Sequence, residues 1–339
     1  MTGAPIVGAR SAEPVIRAEP IIRAEGLRKL YDGNEALSDL SFEVAEGEVL
    51  GFIGANGAGK TTTLRILAGL SRPNGGWAEI DGADVVSERD RLHELVGYMP
   101  DFFGVYESMT AGEYLAFYAS CYRVPKHLID RVVSDLLELV HLGPKRDAQV
   151  DNLSRGMKQR LCLARALVHD PKVLLLDEPA SGLDPRARAE MRELVQALRE
   201  MGKTIVLSSH ILPELAEMCT SYGVIHDGRM VAHGPAGAIL SGPGPRRARA
   251  RVQGDLEAAR RLAQGIAGIA GARRAGADTL EIELSDGSED SEIGAATVLS
   301  ALIAAGIAVV DFREEDGGLE QLFLELTAPA PGEPAEQAT

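Results

Sequence analysis

The segment GANGAGKT, Gly54–Thr61, constrains this chain more than any other feature. It satisfies the pattern GxxxxGK[ST] and sits between a β-pattern, VLGFI, and a helical one, TTTLRILAGL. Glycines let the backbone wrap closely round a phosphate chain, so that successive N–H groups and the following helix N-terminus face one anion. Lys60 is then placed to neutralise β- and γ-phosphates, and the Thr61 hydroxyl to ligate Mg2+. A chance glycine-rich turn has no need of a strand before it and a helix after it.

Downstream, KVLLLDEP, Lys172–Pro179, is an apolar strand pattern that ends in two carboxylates. A buried strand would deliver Asp177 to a metal, directly or through water, while Glu178 lies past the strand end where a water could attack the γ-phosphate. Paired acids also close surface turns, so it is the upstream phosphate loop that makes this pair the second half of an Mg-nucleotide site. A third stretch, LSRGMKQRLCLARAL (Leu153–Leu167), places Ser154 and Gly156 at the start of a helix. An exposed helix N-terminus is an anion site. Because the phosphate loop already supplies one, a second is best used on a nucleotide held by another subunit.

Length and charge narrow the class further. At about 150 residues per domain, a chain of 339 residues suggests two domains. The net charge of −15 disfavours nucleic acid as a partner, because a polyanion is repelled before local contacts form. Three cysteines (Cys121, Cys162, Cys219) show neither CxxC pairing nor metal-ligand spacing, which fits a reducing cytosol. The first residues lack the continuous apolar run of a secretion signal. The longest uncharged run, Ile293–Val310, reaches only the lower edge of a membrane-spanning length, and its alanine-rich composition predicts a short helix ending near Gly306 followed by a strand, IAVVDF.

Along the chain, PVIRAE and PIIRAE form a near-duplicate at Pro14–Glu25, too short for a repeat fold. Apolar strands (LSFEVAEGEVLGFIG, KVLLLDE, TIVLSSH, YGVIHDG) then alternate with helical stretches, which predicts an α/β domain with a largely parallel core sheet. The pattern breaks at SGPGPRRARARV, where Pro and Gly mark a linker. The expected division is a disordered tail over residues 1–20, a nucleotide-binding α/β domain over 21–240 with a helical part at about 98–164, a linker at 241–252, a small α+β accessory domain over 253–327 and a Pro-rich disordered tail over 328–339.

Taken with Ser181-Gly182-Leu183-Asp184 and His210 in the same order, the three motifs resemble those of the ATP-binding cassette (ABC) ATPases, whose signature is close to LSGGQ. The resemblance spans roughly Ile21 to Gly234. It implies a P-loop NTPase cassette, an α/β RecA-like core plus a helical subdomain, that binds ATP and Mg2+. By residue, it implies that Tyr31 stacks on adenine and that Gly54, Asn56, Gly57, Gly59, Lys60, Thr61 and Thr62 hold phosphates and metal. It also implies that Asp177 assists the metal, Glu178 is general base, and His210 contacts the γ-phosphate and reports its loss. Ser154 and Gly156 would face a nucleotide on a second chain, and Asp184 would link the facing subunits.

Two positions depart from the family pattern. Arg155 replaces the first glycine of the signature pair, which is tolerable if its side chain points away from the phosphate. Asp101, in GYMPDFFG, stands where the family has a glutamine; shorter and anionic, it could bind Mg2+ through water but would repel the γ-phosphate.

More than half of the aromatic residues fall in one segment: Tyr98, Phe102, Phe103, Tyr106, Tyr114, Phe117, Tyr118 and Tyr122. Some belong in a helical core, and the resemblance implies that Phe102, Phe103 and Tyr106 line a groove for a cytoplasmic helix of a membrane subunit. Arg246, Arg247, Arg249 and Arg251 could touch anionic lipid, although four charges interrupted by alanines fit a solvated linker or strand face better.

LSRGMKQR, the segment GYMPDFFGVYESMTAGEYL and the closing LEQLFLELT after the accessory domain look like subunits of ABC-2-type exporters. That implies a dimeric ATPase, with itself or a homologous subunit, peripheral on the cytoplasmic face of the cell membrane and powering a separate permease. The alternative is a soluble ABC ATPase acting on ribosomes or DNA. Against it stand a single P-loop, a single signature, the absence of a long heptad stretch and the acidic charge.

Overall fold

The computed structural model of the protein describes residues 20–101, 109–240, 247–266, 269–284 and 291–315. The N-terminal part contains β1 (Pro20–Tyr31), β2 (Asn34–Ala45), β3 (Val49–Ile53), α1 (Lys60–Leu67), β4 (Gly75–Ile80), β5 (Ala83–Asp84), α2 (Arg89–Leu95) and β6 (Val96–Met99). Helices α3 (Ala111–Cys121), α4 (Lys126–Leu139) and α5 (Arg155–Ala166) follow. The chain then alternates through β7 (Val173–Asp177), α6 (Pro185–Glu200), β8 (Thr204–Ser209), α7 (Leu212–Met218), β9 (Ser221–His226), β10 (Arg229–Pro235) and α8 (Ala236–Leu240).

The six-stranded sheet runs β10-β9-β3-β8-β7-β6, parallel throughout except for the edge strand β10. It is covered on both faces, which is why VLGFI and VLLLD are apolar at nearly every position and buried at all of them. Alternate residues serve two cores. Val173 and Leu175 pack with Leu64, Leu67 and Phe52 on one side, while Leu174 and Leu176 pack with Tyr114, Leu161 and Leu194 on the other.

A second sheet, β2-β1-β4-β5, is wholly antiparallel and was not anticipated by the βα alternation. The run LSFEVAEGEVLGFIG, read as one strand, is two. Glu48 N–H returns to the Ala45 carbonyl at 3.2 Å and Gly47 takes φ +74°, so the chain turns out of β2 and enters β3 in the other sheet. Phe42 of β2 meets Phe52 of β3 edge to face at 5.2 Å, packing the two sheets together.

The remaining strands form β11 (Arg247–Gln253), α9 (Leu256–Gln264), β12 (Ile269–Arg274), β13 (Thr279–Leu284), α10 (Ser291–Ala304) and β14 (Ala308–Glu315). Their antiparallel order, β12-β13-β11-β14, with two helices gives the βαββαβ ferredoxin-like arrangement. The linker expected at 241–252 is therefore corrected from Arg247 onward. RARARV alternates Arg with Ala248, Ala250 and Val252, all buried, and strand periodicity outweighs the upstream Pro and Gly. The arginines stand on the other face, where Arg247 reaches Glu281 and Glu283 at 3.6 Å each. Pro20, expected as the end of the N-terminal tail, instead opens β1; Arg246, residues 1–19, the expected C-terminal tail and LEQLFLELT lie outside the described residues.

The uncharged run divides into α10, Gly306 at φ +76° and β14. Among the described residues no helix is long and apolar enough to cross a membrane.

Candidate nucleotide-binding site

Strand β3 delivers Gly54 to the carboxyl edge of the parallel sheet, and α1 starts at Lys60 with no side chain capping its free N–H groups. The loop between them turns through Gly57 at φ +87° and Gly59 at φ +112°, conformations that demand glycine. A Cβ on Gly59 would also lie 2.8 Å from the Ala36 carbonyl oxygen. Asn56 is exposed at the loop and Thr62 is half-buried in the first turn of α1. The Lys60 ammonium folds back across the loop, donating to the carbonyls of Gly54 at 2.7 Å and Ala55 at 3.1 Å. Burial holds it below the usual lysine range, opposed by the carboxylates of Glu178 and Asp177.

The two acids arrive on β7 and are joined by a serine from β8. Parallel register sets Asp177 opposite Ser208. Asp177 Oδ1 accepts from the Thr61 hydroxyl at 3.0 Å and from the Ser208 hydroxyl at 2.8 Å, while the same Ser208 oxygen accepts from the Glu178 N–H at 3.0 Å. Glu178 holds φ +51°, a left-handed conformation unusual for its type, and its carbonyl accepts from Gln159 Nε2 at 3.4 Å. Its Oε2 lies 2.8 Å from His210 Nδ1. Burial raises both carboxyls; hydrogen bonds from Ser208 and Thr61 oppose this at Asp177, and His210 opposes it at Glu178. Thr61 and Asp177 together offer the hard oxygen donors that suit Mg2+.

The motifs that mark the site in the sequence assign no role to Ser208 or Gln159. The available signal was a serine inside TIVLSS, a strand buried at every position, since a buried hydroxyl needs a partner.

Asp101, two residues past β6, is exposed, and its charge helps push the Asp177 carboxyl up. Tyr31 ends β1, exposed, with Lys29 Nζ 4.9 Å from its ring centroid. Among the described residues no hydrogen bond joins Tyr31, Ser154 or Asp184 to the Lys60 cluster. Ser154 caps α5, its hydroxyl accepting from Met157 N–H at 3.3 Å. Asp184 caps α6 by accepting from Arg186 and Ala187 N–H at 3.0 and 2.9 Å. Gly156 permits the two helix starts to meet, since a Cβ there would lie 2.9 Å from Ala187 Cβ.

The aromatic segment divides between core and surface. Tyr114 is fully buried, whereas Phe117 and Tyr122 are exposed. Tyr98, Tyr118 and Tyr122 line, with His93, Glu94 and Arg165, an open cavity of about 580 Å³. Phe102, Phe103 and Tyr106 lie outside the described residues.

The family model for ABC transporters matches residues 37–181. The Nod factor export ATP-binding protein I of Burkholderia pseudomallei (strain 1710b) is 43% identical over 208 residues, covering 61% of this chain and 68% of the relative. The protein of the same name from Ralstonia nicotianae is 38% identical over 228 residues, covering 67% and 71%. Among solved structures, the ATP binding subunit of an ABC transporter superposes with a TM-score of 0.59 at 30% identity, over 65% of this chain and 91% of that one. Clostridium perfringens cbiO1, part of the ABC transporter complex cbiONQ, gives 0.59 at 28% identity, over 64% and 88%.

Proposed function

The chain belongs to the ATP-binding proteins of the ABC transporter family, and on that premise we propose that two such chains pair head to tail, each ATP held between the Lys60 loop of one and the Ser154 helix end of the other. As a member it is an ATP-binding, ATP-hydrolysing subunit of an exporter-type transporter. The observation that carries the reading is the connected set Thr61, Asp177, Ser208, Glu178 and His210, which puts a phosphate loop, a metal-binding carboxylate and a base at one sheet edge.

In this reading the free N–H groups at the start of α1 and the Lys60 ammonium bind the β- and γ-phosphates, whose oxygens replace the Gly54 and Ala55 carbonyls as partners of Nζ. Thr61 and Asp177 would hold Mg2+, with Asp101 as a further carboxylate near that edge; bound there, the ion would supply neutralising charge to the phosphates. Glu178 takes the proton of the attacking water, its carboxyl raised toward working pH by burial. His210 orients that carboxylate through Nδ1 and keeps Nε2 for the γ-phosphate. Tyr31 offers adenine the ring face away from Lys29. From the second chain, Ser154 and Gly156 close on the γ-phosphate and Asp184 meets the facing subunit.

The cavity beneath Tyr118 and Tyr122 receives a helix of a separate membrane-spanning permease, which places the pair at the cytoplasmic face of the membrane. Closure on ATP and reopening after hydrolysis then drive the permease between two states.

The test is size-exclusion chromatography with light scattering on the Glu178→Gln chain. A dimer that forms only with ATP and is lost in Ser154→Arg is the expected result. A chain that binds ATP yet stays monomeric at saturating nucleotide refutes the paired arrangement.

A further inference from the structure

Arg155 packs against Gly182. Its guanidinium lies flat on the α-carbon of Gly182: a Cβ built there would sit 2.4 Å from Cζ and 2.5 Å from both terminal nitrogens. Gly182 holds φ +66° in the turn between Glu178 and Asp184, and only a residue without a side chain leaves that face open to a planar cation. Around this contact the start of α5 is fastened twice more, to the helix that follows the turn and to the turn itself. Gly156 admits Ala187 of α6 against the first turn of α5, and Gln159 of α5 donates to the Glu178 carbonyl at 3.4 Å. The turn itself is closed by Ser181 N–H to Glu178 O at 3.1 Å and by Arg188 Nη2 to Leu183 O at 3.0 Å.

We propose that Arg155 is a positioning residue: its guanidinium, seated on Gly182, locks the 178–184 turn to the start of α5, so that Ser154 and Asp184 meet the facing chain as one preformed surface. This rests on the head-to-tail reading above and deepens it. The physical consequence is entropic. Two exposed segments that must be ordered separately at an interface each cost conformational freedom on closure, and joining them beforehand removes part of that cost. The nucleotide loop of the same chain is untouched, because Lys60 and Thr61 make none of these contacts. Lysine cannot substitute, since a compact ammonium has no plane to lay on an α-carbon.

The experiment uses the full chain with Arg155→Ala, Arg155→Lys, Gly182→Ala and Arg155→Ala/Gly182→Ala. ATP affinity of the monomer and the denaturation midpoint are read alongside kcat, and ATP-dependent dimerisation is read in the Glu178→Gln background. Arg155→Ala is expected to weaken dimerisation and lower kcat by about tenfold, within the range for coupled neighbouring residues, with monomer ATP affinity within about twofold of wild type. Arg155→Lys keeps most of the defect. Gly182→Ala displaces the guanidinium and reproduces it, and the double variant is no worse than Gly182→Ala alone. Wild-type dimerisation by Arg155→Ala, or strictly additive effects in the double variant, overturns the inference. A parallel fall in stability and monomer ATP affinity also overturns it, because that is the mark of a purely structural contact. The parent reading fails separately: there Glu178→Gln itself does not dimerise with ATP and Ser154→Arg changes nothing.

Discussion

Replacing Ser208 with alanine tests whether one hydroxyl holds the acidic edge together. Ser208 is wholly buried and serves both acids at once, donating to Asp177 at 2.8 Å and accepting from Glu178 N–H at 3.0 Å. The bond to a carboxylate is worth about 1.5–3 kcal/mol and the neutral bond about 1 kcal/mol. Glu178 also sits at φ +51°, where a side-chain-bearing residue is strained by about 1–2 kcal/mol, so removing the bond that fixes its N–H lets the turn relax. The relaxation returns part of the lost energy, and the net expectation for Ser208→Ala is a stability loss of about 2 kcal/mol. The cost to catalysis is larger. With Glu178 as the proposed base, a displacement of about 1 Å loses on the order of a hundredfold in turnover, while ATP affinity at the Lys60 loop stays near wild type. Urea denaturation followed by circular dichroism reads the first quantity, steady-state phosphate release the second, and nucleotide titration the third. A loss below about 1 kcal/mol together with undiminished turnover would refute the assignment of Ser208 as the joint between the two acids.

Two other perturbations have defined outcomes. Burial holds His169 below the usual histidine value of 6.5, with Nε2 3.1 Å from the Val96 carbonyl and the ring stacked on Tyr122 at 3.9 Å. A folded value below the unfolded one makes this contribution complete above pH 6.5 and progressively lost as pH falls toward the folded value. The acid slope of the denaturation midpoint should therefore become shallower in His169→Phe; an unchanged slope contradicts the argument. For Gly97→Ala, the new Cβ would lie 2.2 Å from the Ala166 carbonyl oxygen, a backbone atom that cannot step aside. The expected cost is about 3 kcal/mol, at the upper end for overpacking, read as a lowered denaturation midpoint.

The parts of the site legible in the sequence are those whose chemistry is written in consecutive residues. GANGAGKT needs only its own glycines and the flanking strand and helix, so Lys60 and Thr61 could be placed before any tertiary contact was known. Ser208 could not, because its role depends on which residue of a strand distant in sequence lies beside it, and Asp177 faces Ser208 only through parallel register. The antiparallel sheet was hidden for a related reason. In LSFEVAEGEVLGFIG the polar interruption is short, and whether Gly47 bends a strand or ends it is decided by sheet packing, with Phe42 and Phe52 meeting from different sheets. At SGPGPRRARARV two signals compete within one stretch, and the buried alanines of β11 decide in favour of the strand.

One helix connects the two ends of this proposed mechanism. The start of α5 presents Ser154 outward, and one turn further on the buried Gln159 holds the carbonyl of the base's own residue. Ser208 holds the same residue's N–H, so both backbone groups of Glu178 are fixed from other elements while its φ stays at +51°. A strained conformation persists only where its surroundings over-determine it. In the proposed pair, ordering of α5 by a nucleotide on the second chain would therefore also tighten one of the two bonds that hold Glu178. Loosening α5 would release that bond and let Glu178 move toward an unstrained backbone, away from the water that the proposed base activates. On this argument the facing chain does more than complete a binding surface: it biases the position of the base, so that hydrolysis is fastest when the sandwich is closed.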